Sequence, residues 1–313
     1  MNSLDKKESA ALTIGSFDGC HIGHQQLIHE MLHLAKAHNQ TPTVLTFYPH
    51  PRDFFQNSGT TNCLFTIEMK KRFLKSLGVE HILVQSFDLP FSTKSAQWFY
   101  EDFLCKQLKT QTLMVGPNFH FGHKREGCIE WLQKQQHGPS LKVLTPLLEN
   151  DSMISSSRIR SYLRNGDPQT AAKLLGRDYL LEGQLKPGDK IGRKIQVPTL
   201  NLENISQLIP KYGVYLGYVW IAEPQNTDSP PIQRTDAHPA LINIGLRPTV
   251  DGTRERVEAH LLYGEWPEEM YEKKAGFYLH QYLRNEKKFE DINELKTALY
   301  HDIQRGRHFF HNP

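Results

Sequence analysis

The chain has 313 residues, 38% of them hydrophobic and 23% charged, enough to bury a full core and to form two domains. Its 37 basic and 34 acidic residues leave a formal net charge of +3, too balanced to make nucleic acid the main partner. Cys20, Cys63, Cys105 and Cys128 show no CxxC spacing for zinc, no apolar run approaches the roughly 20 residues of a membrane span, and the N-terminus lacks a signal-peptide layout, so a cytoplasmic protein free of membrane is expected.

The chemistry begins in the stretch Ala11 to Leu34. Leu12, Thr13 and Ile14 suit a buried strand, Gly15 to Gly19 supply a turn, and Leu27, Met31 and Leu34 recur one helical turn apart on a single face. His21 and His24 therefore open a helix. There the free backbone N–H groups and the positive end of the macrodipole favour an anion. Two imidazoles three residues apart share a face and can donate to phosphoryl oxygens, while Gly23 leaves room for a nucleotide against the backbone. One histidine alone would read as a surface residue, since the same helix carries His29, His33 and His38. Strand, glycine turn and histidine pair in this order give a triphosphate cradle.

Further on, Thr43 to Phe47 reads as an apolar strand ended by Pro49 and Pro51, and Glu68 to Leu77 as a helix. His81 to Val84, Thr112 to Val115 and Leu141 to Thr145 read as strands, with a helix over Ala96 to Leu108. Strands alternating with helices imply an α/β, Rossmann-like, doubly wound parallel sheet whose ligand sits at the strand C-terminal ends. The glycine- and aromatic-rich segment Gly116 to Gly127 should be a loop on that rim. Its alternating Phe119 and Phe121 could both face one flat ligand, or be ordinary loop packing, and Asn118 can hydrogen-bond a ring edge. Ile154 to Arg160 places serines before an apolar-periodic run, a helix N-cap with Gly166 as the stop. With the forked donor of Arg160, the same serines could also hold a leaving pyrophosphate.

From Gly183 the texture changes to short β-like runs with glycine and proline turns, which places a boundary near Arg177 to Leu181 and predicts domains 1–178 and 179–313. Tyr212 to Ile221, Ala240 to Ile244 and Val257 to Leu262 suggest a small antiparallel β-barrel, closed by an amphipathic helix over Asp291 to Arg305. Glu223 to Pro239 reads as an exposed hairpin loop without chemistry.

GSFDGCHIGH resembles the G-x-F-D-x-x-H-x-G-H signature of nucleotidyltransferases. HIGH alone also matches the first signature of class I aminoacyl-tRNA synthetases, but no KMSKS-like lysine loop or anticodon-binding domain is visible. TFYPHP, GPNFHFGHKREG, ISSSRIR, LLGRDY, GQLKPGDKIGR, VPTLN, NIGLRPT and VEAHLL then follow in order. Over nearly its whole length the chain resembles the bacterial bifunctional riboflavin kinase/FMN adenylyltransferase (FAD synthetase) family.

The resemblance implies an HxGH-type nucleotidyltransferase domain that transfers AMP from ATP to FMN with release of pyrophosphate, and a riboflavin kinase-like barrel that phosphorylates riboflavin. Riboflavin, FMN and ATP would be the small-molecule partners, Mg²⁺ the cofactor and ATP the co-substrate, with a homo-oligomer left open. In the first half it implies catalytic His21, His24 and Arg160, a nucleotide pocket lined by Gly15, Phe17, Asp18 and Gly23, a flavin side at Asn118 and Phe119, and a phosphate path at Ser155 and Ser156. In the second it implies Thr199 and Asn201 at the metal and Gly188, Lys190, Gly192 and Arg193 in a flap over ATP. A riboflavin hydroxyl must shed a proton as it attacks phosphorus, so a carboxylate base is expected, and Glu258 in VEAHLL takes that position. Two departures exist: Gln196 where the family usually has glycine, and LLYGEWPEEMY after His260 where an aspartate-phenylalanine pair usually follows the leucines. They keep open an enzyme with adenylyl transfer alone, its barrel binding without turnover; a non-catalytic flavin or nucleotide sensor that kept the folds is a separate alternative, against which the intact His21/His24 pair argues.

Overall fold

The computed structural model describes residues 9–56, 62–149, 151–186, 197–222, 231–234, 236–249, 252–264 and 270–311. Gly188, Lys190, Gly192 and Arg193 of the expected flap, Gln196, and residues 223–230 of the expected hairpin loop lie outside them. The chain divides into two compact units, Met1–Thr61 with Phe65–Ser155, and Asn62–Leu64 with Ser156–Pro313.

In the first unit β1 (Ala10–Ile14) is buried at every position, as a strand covered on both faces must be. With β2 (Thr41–Tyr48), β3 (His81–Ser86), β4 (Thr110–Val115) and β5 (Ser140–Val143) it forms a parallel sheet in the order β3-β2-β1-β4-β5. Strand order reverses between β1 and β4, so the crevice beyond their C-terminal ends is the natural ligand position. The helices are α1 (Ile22–Ala37), α2 (Pro51–Gln56), α3 (Ile67–Ser76), α4 (Leu89–Ser92), α5 (Ala96–Trp98) and α6 (Ile129–Gln133). The helix expected over Ala96 to Leu108 forms, but α5 passes directly into a π-helical stretch, Phe99–Gln107. Trp98 and Phe103, five residues apart, stack with centroids 5.9 Å apart, the alignment a π turn gives. A small antiparallel hairpin, β6 (Leu148–Glu149) and β7 (Ser152–Met153), closes this unit.

The second unit opens with α7 (Ser156–Asn165), stopped by Gly166 at φ 77, and α8 (Pro168–Leu175), capped by Asp167. Both helices therefore cluster with the barrel, upstream of the texture change in the sequence. β8 (Tyr179–Lys186), β9 (Leu200–Glu203), β10 (Gly213–Ile221), β11 (His238–Thr249), β12 (Gly252–Leu261) and β13 (Lys274–Arg284) close in the order β10-β11-β12-β9-β8-β13, all antiparallel. Along β12, buried Val257, Ala259 and Leu261 alternate with half-buried Arg256, Glu258 and His260, the period-2 signature of a barrel wall. Gly217 is required by packing, because a Cβ there would lie 2.2 Å from the carbonyl oxygen of Tyr278.

The terminal helix α9 (Ile292–His311) covers an apolar patch of Val197, Val214, Leu216, Leu241 and Leu262 through Ile303. Asp302, 1% exposed, fixes it: Nε and Nη2 of Arg284 donate to the same Oδ2 at 2.9 and 2.6 Å. Asp302→Ala would leave a partly buried guanidinium unpaired, and a loss of about 2–3 kcal/mol is expected. Urea unfolding should show a lower midpoint with an unchanged slope.

Candidate active sites

The turn after β1 is folded around two left-handed residues, Phe17 (φ 47) and Cys20 (φ 39), with Gly19 at φ 73 between them. It drives the Phe17 ring into the interior, fully buried and edge-on to the His24 ring at 5.3 Å. A Cβ on Gly15 would stand 3.1 Å from that ring, so Gly15 and Phe17 fit one another. Asp18, 2% exposed, accepts from the backbone N–H of Phe65 at 3.1 Å and ties the turn to the segment leading into α3. Phe17 and Asp18 thus support the turn from behind.

His21 is the N-cap of α1. Its Nδ1 accepts from the backbone N–H of His24 at 3.3 Å, so in the neutral ring the proton sits on Nε2. The two rings stack with centroids 3.6 Å apart and planes 15° from parallel. Nδ1 of His24 is buried with no hydrogen-bond partner among the described residues. Burial, then the neighbouring His21 and Lys70, hold the His24 pKa well below its ordinary value. A Cβ on Gly23 would only touch the His21 ring at 3.4 Å, an ordinary contact, so packing within the protein does not demand glycine there.

Lys70 was not found from the sequence. It is 6% exposed, on the buried face of α3, and donates to Thr46 Oγ1 at 3.3 Å; that hydroxyl donates to the carbonyl of Ser16 in the turn. The one available signal was its position three and four residues before buried Phe73 and Leu74, inside a run that otherwise looks solvated.

A cavity of about 580 Å³ starts at Ile14, Gly15 and Ser16 and is walled by aromatic rings, among them Phe47, Phe87, Phe91 and Phe99. Its size and apolar wall suit a flat, drug-sized ligand. Asn118 and Phe119 line it as expected. Phe119 and Phe121 both reach it, but they stack on each other at 5.4 Å, and Phe121 is buried against Phe99 and Trp131. Asn118 is exposed, its amide donating to the Met153 sulfur at 3.5 Å, a weak acceptor. The rim loop is pinched by two backbone hydrogen bonds between Phe121 and Gly127, at 3.0 and 2.9 Å. Within it Lys124 (φ 50) and Arg125 (φ 63) are held left-handed at the cavity mouth.

Ser155 directly precedes α7, which begins at Ser156. Arg160, 6% exposed, belongs to the second unit, where its Nε donates to the carbonyl of Asn62 at 2.7 Å.

On the barrel, strand register places Glu258 of β12 directly between Asn201 of β9 and Asn243 of β11 on the outer face. Asn201 is 8% exposed, and the Glu258 side chain 16%. Nε of Arg256 lies 3.6 Å from Glu258 Oε2, too long for a hydrogen bond. Thr199 immediately precedes β9, and the carbonyl of Pro198 accepts from Nδ1 of His260 at 2.8 Å. Thr199 and Asn201 carry neutral oxygens of the kind a hard cation that arrives with phosphate ligands of its own could accept. Sequence reasoning did not single out Asn243, Arg256 and His260, which only strand register and tertiary contacts bring near Glu258 and the Pro198 carbonyl.

The pH response follows from two histidines. Burial lowers the pKa of His260 as well as that of His24. The unfolded chain takes up these protons near the ordinary value of about 6.5 while the folded chain resists them, so their contribution is intact above that pH and lost as pH falls toward the depressed folded values. Thermal melts between pH 7.5 and 5.5 should therefore show a falling midpoint, and the fall should be smaller in His24→Gln.

Residues 3–158 match the family model for FAD synthetase, and residues 175–310 match that for riboflavin kinase. The chain is 33% identical over 306 residues to the bifunctional riboflavin kinase/FMN adenylyltransferase of Escherichia coli (strain K12), covering 97% of this chain and 94% of that protein. It is 30% identical over 317 residues to the same-named protein of Bacillus subtilis (strain 168), covering 99% and 96%. A crystal structure of a macrolide-efflux protein from Streptococcus pneumoniae superposes with a TM-score of 0.83 at 25% identity, covering 96% and 95%. Among the described residues here, no helix is long and apolar enough to cross a membrane. Two family models in this order, with relatives matched end to end, show that the chain belongs to the bifunctional riboflavin kinase/FMN adenylyltransferase family.

Proposed function

We propose that the chain makes FAD from riboflavin in two steps, phosphorylation to FMN on the barrel unit and adenylylation of FMN on the parallel-sheet unit. The observation that carries this is the stacked His21/His24 pair opening α1 at the same strand end from which the aromatic cavity starts. One turn can then present a triphosphate to one side and a flavin to the other.

In adenylyl transfer an oxygen of the FMN phosphate bonds to the α-phosphorus of ATP, and the bond to the bridging oxygen breaks as pyrophosphate leaves with the electron pair. No strong base is needed, because the nucleophile is already an anion; the task is alignment and charge neutralisation. His21 donates through Nε2–H, and His24, stacked on it, is the second imidazole of the pair. The flavin ring stacks in the Phe-walled cavity with Asn118 at its edge; the ISSSRIR motif, by its resemblance alone, assigns Ser155 and Ser156 to the phosphate path and Arg160 to the leaving pyrophosphate.

On the barrel the terminal ribityl hydroxyl attacks the γ-phosphorus, Glu258 accepts its proton and ADP leaves. Thr199 and Asn201 would hold Mg²⁺, which when bound neutralises phosphate charge. All four cysteines are free thiols, which supports a reducing cytoplasm as the setting. The functional boundary is placed near residue 178.

Incubation with riboflavin, ATP and Mg²⁺ is expected to yield FMN and then FAD. FAD from supplied FMN but none from riboflavin would reduce the function to adenylyl transfer alone. Tight flavin or nucleotide binding with no product from either substrate would make the chain a sensor.

A further inference from the structure

The β9–β12 ladder pairs Leu202 with Val257, Asn201 with Glu258 and Leu200 with Ala259. Continued by one step, it would set Thr199 opposite His260, but β9 begins at Leu200 and the backbone pairing stops. At that step a side chain takes over: His260 Nδ1 reaches the carbonyl of Pro198 at 2.8 Å. A carbonyl only accepts, so this bond sets the tautomer, with the proton on Nδ1 and the lone pair on Nε2. Proline has no N–H with which to hold itself to a neighbouring strand. The carbonyl is its one backbone handle, and His260 occupies it.

Thr199 is thereby pinned from both sides. Leu200 lies in the ladder, and Val197 is 1% exposed in the apolar patch with Leu262 and Ile303. From α9, Arg307 Nε donates to the carbonyl of Leu262 at 2.9 Å and secures the chain just past His260. His260 and Glu258 lie two apart on the same outer face of β12.

We infer that His260 is a positioning residue of the kinase site: by gripping Pro198 it sets Thr199 and Asn201 against Glu258 in the geometry a phosphate-bound cation needs. The inference rests on the reading of the barrel as a riboflavin kinase. Groups that orient metal ligands without touching the metal typically change metal affinity about 10–100-fold when removed.

The test compares His260→Phe, which keeps a ring and loses the donor, with His260→Asn, whose amide nitrogen can stand where Nδ1 stood. His260→Phe should raise the Mg²⁺ concentration for half-maximal FMN formation about 10-fold or more. His260→Asn should recover most of that loss. FAD formation from supplied FMN, on the other unit of the same chain, should stay unchanged and report that the protein is folded. Independently of turnover, ¹⁵N-histidine NMR of the metal-free full chain should show His260 protonated at Nδ1, and the thermal shift induced by Mg²⁺ with ADP should shrink in His260→Phe. An unchanged Mg²⁺ requirement in His260→Phe, or a proton on Nε2 in the wild type, would overturn the inference. Absence of any FMN formation by the wild-type protein would instead overturn the kinase reading, and the NMR tautomer would still decide the grip on Pro198.

Discussion

Replacing His24 by alanine is expected to lower the rate of FAD formation from FMN by roughly 10²–10³-fold, the usual effect of deleting one transition-state donor from a preorganised anion site. Phosphorylation of riboflavin should stay near its wild-type rate. The ring of His24 stacks on His21 at 3.6 Å and meets Phe17 edge-on at 5.3 Å, so its position is set before substrate arrives. Among the described residues its Nδ1 has no partner, so removing that nitrogen strands no described hydrogen-bonding group. The helix itself is anchored elsewhere, by buried Leu27, Ile28, Met31 and Ala35, and should survive the change. The loss should fall mainly on kcat, because an interaction made only in the transition state lowers kcat and kcat/KM together. Steady-state kinetics with FMN and with riboflavin as separate substrates decide it. Wild-type FAD synthesis, or loss of both reactions in a folded protein, would sink the two-site reading.

The parts of the fold that the sequence displays are those encoded by neighbours along the chain. Leu27, Met31 and Leu34 fix one face of α1 within a few turns, and the small residues from Gly15 to Gly19 announce the turn before it, so the placement of His21 and His24 at the start of the helix can be read directly. The alternation of strand and helix gives the parallel sheet for the same reason. The aromatic cavity is different: Phe47, Phe87, Phe91 and Phe99 come from separate elements, and each looks like ordinary core until the sheet order brings them to one crevice. Lys70 stays hidden because a buried lysine in a KKR run has the appearance of a solvated face. In the barrel, Glu258 was legible as a residue type, but Asn243 and Arg256 beside it depend on register, which no local pattern specifies. The serines and Arg160 of α7 were legible as a block, yet the helix clusters with the barrel through long-range contacts, such as the Lys211 N–H donating to the carbonyl of Leu163, that its place in the sequence does not announce. The outcome at Phe119 and Phe121 has a related cause: period-2 alternation sends both rings to one side, and Trp131 and Phe99 then decide that they stack on each other.

Glu258→Ala is expected to do the reverse of His24→Ala, cutting FMN formation by about 10²-fold or more, within the range for loss of a general base, while FAD formation from supplied FMN continues. Alanine alone would leave an ambiguity, since it also deprives Arg256 of its neighbouring carboxylate at 3.6 Å. Glu258→Gln removes it: the amide keeps the shape beside Asn201 and Asn243 but cannot accept the hydroxyl proton. Phosphoryl transfer passes through a loose transition state that asks little of a base, so the size of the effect separates two roles for this carboxylate. A glutamine variant retaining more than about a tenth of the wild-type rate would mean less than 1.4 kcal/mol of barrier depends on proton acceptance, and Glu258 would then act by orienting the hydroxyl. A loss as deep as that of alanine requires proton transfer to Glu258 in the rate-limiting step.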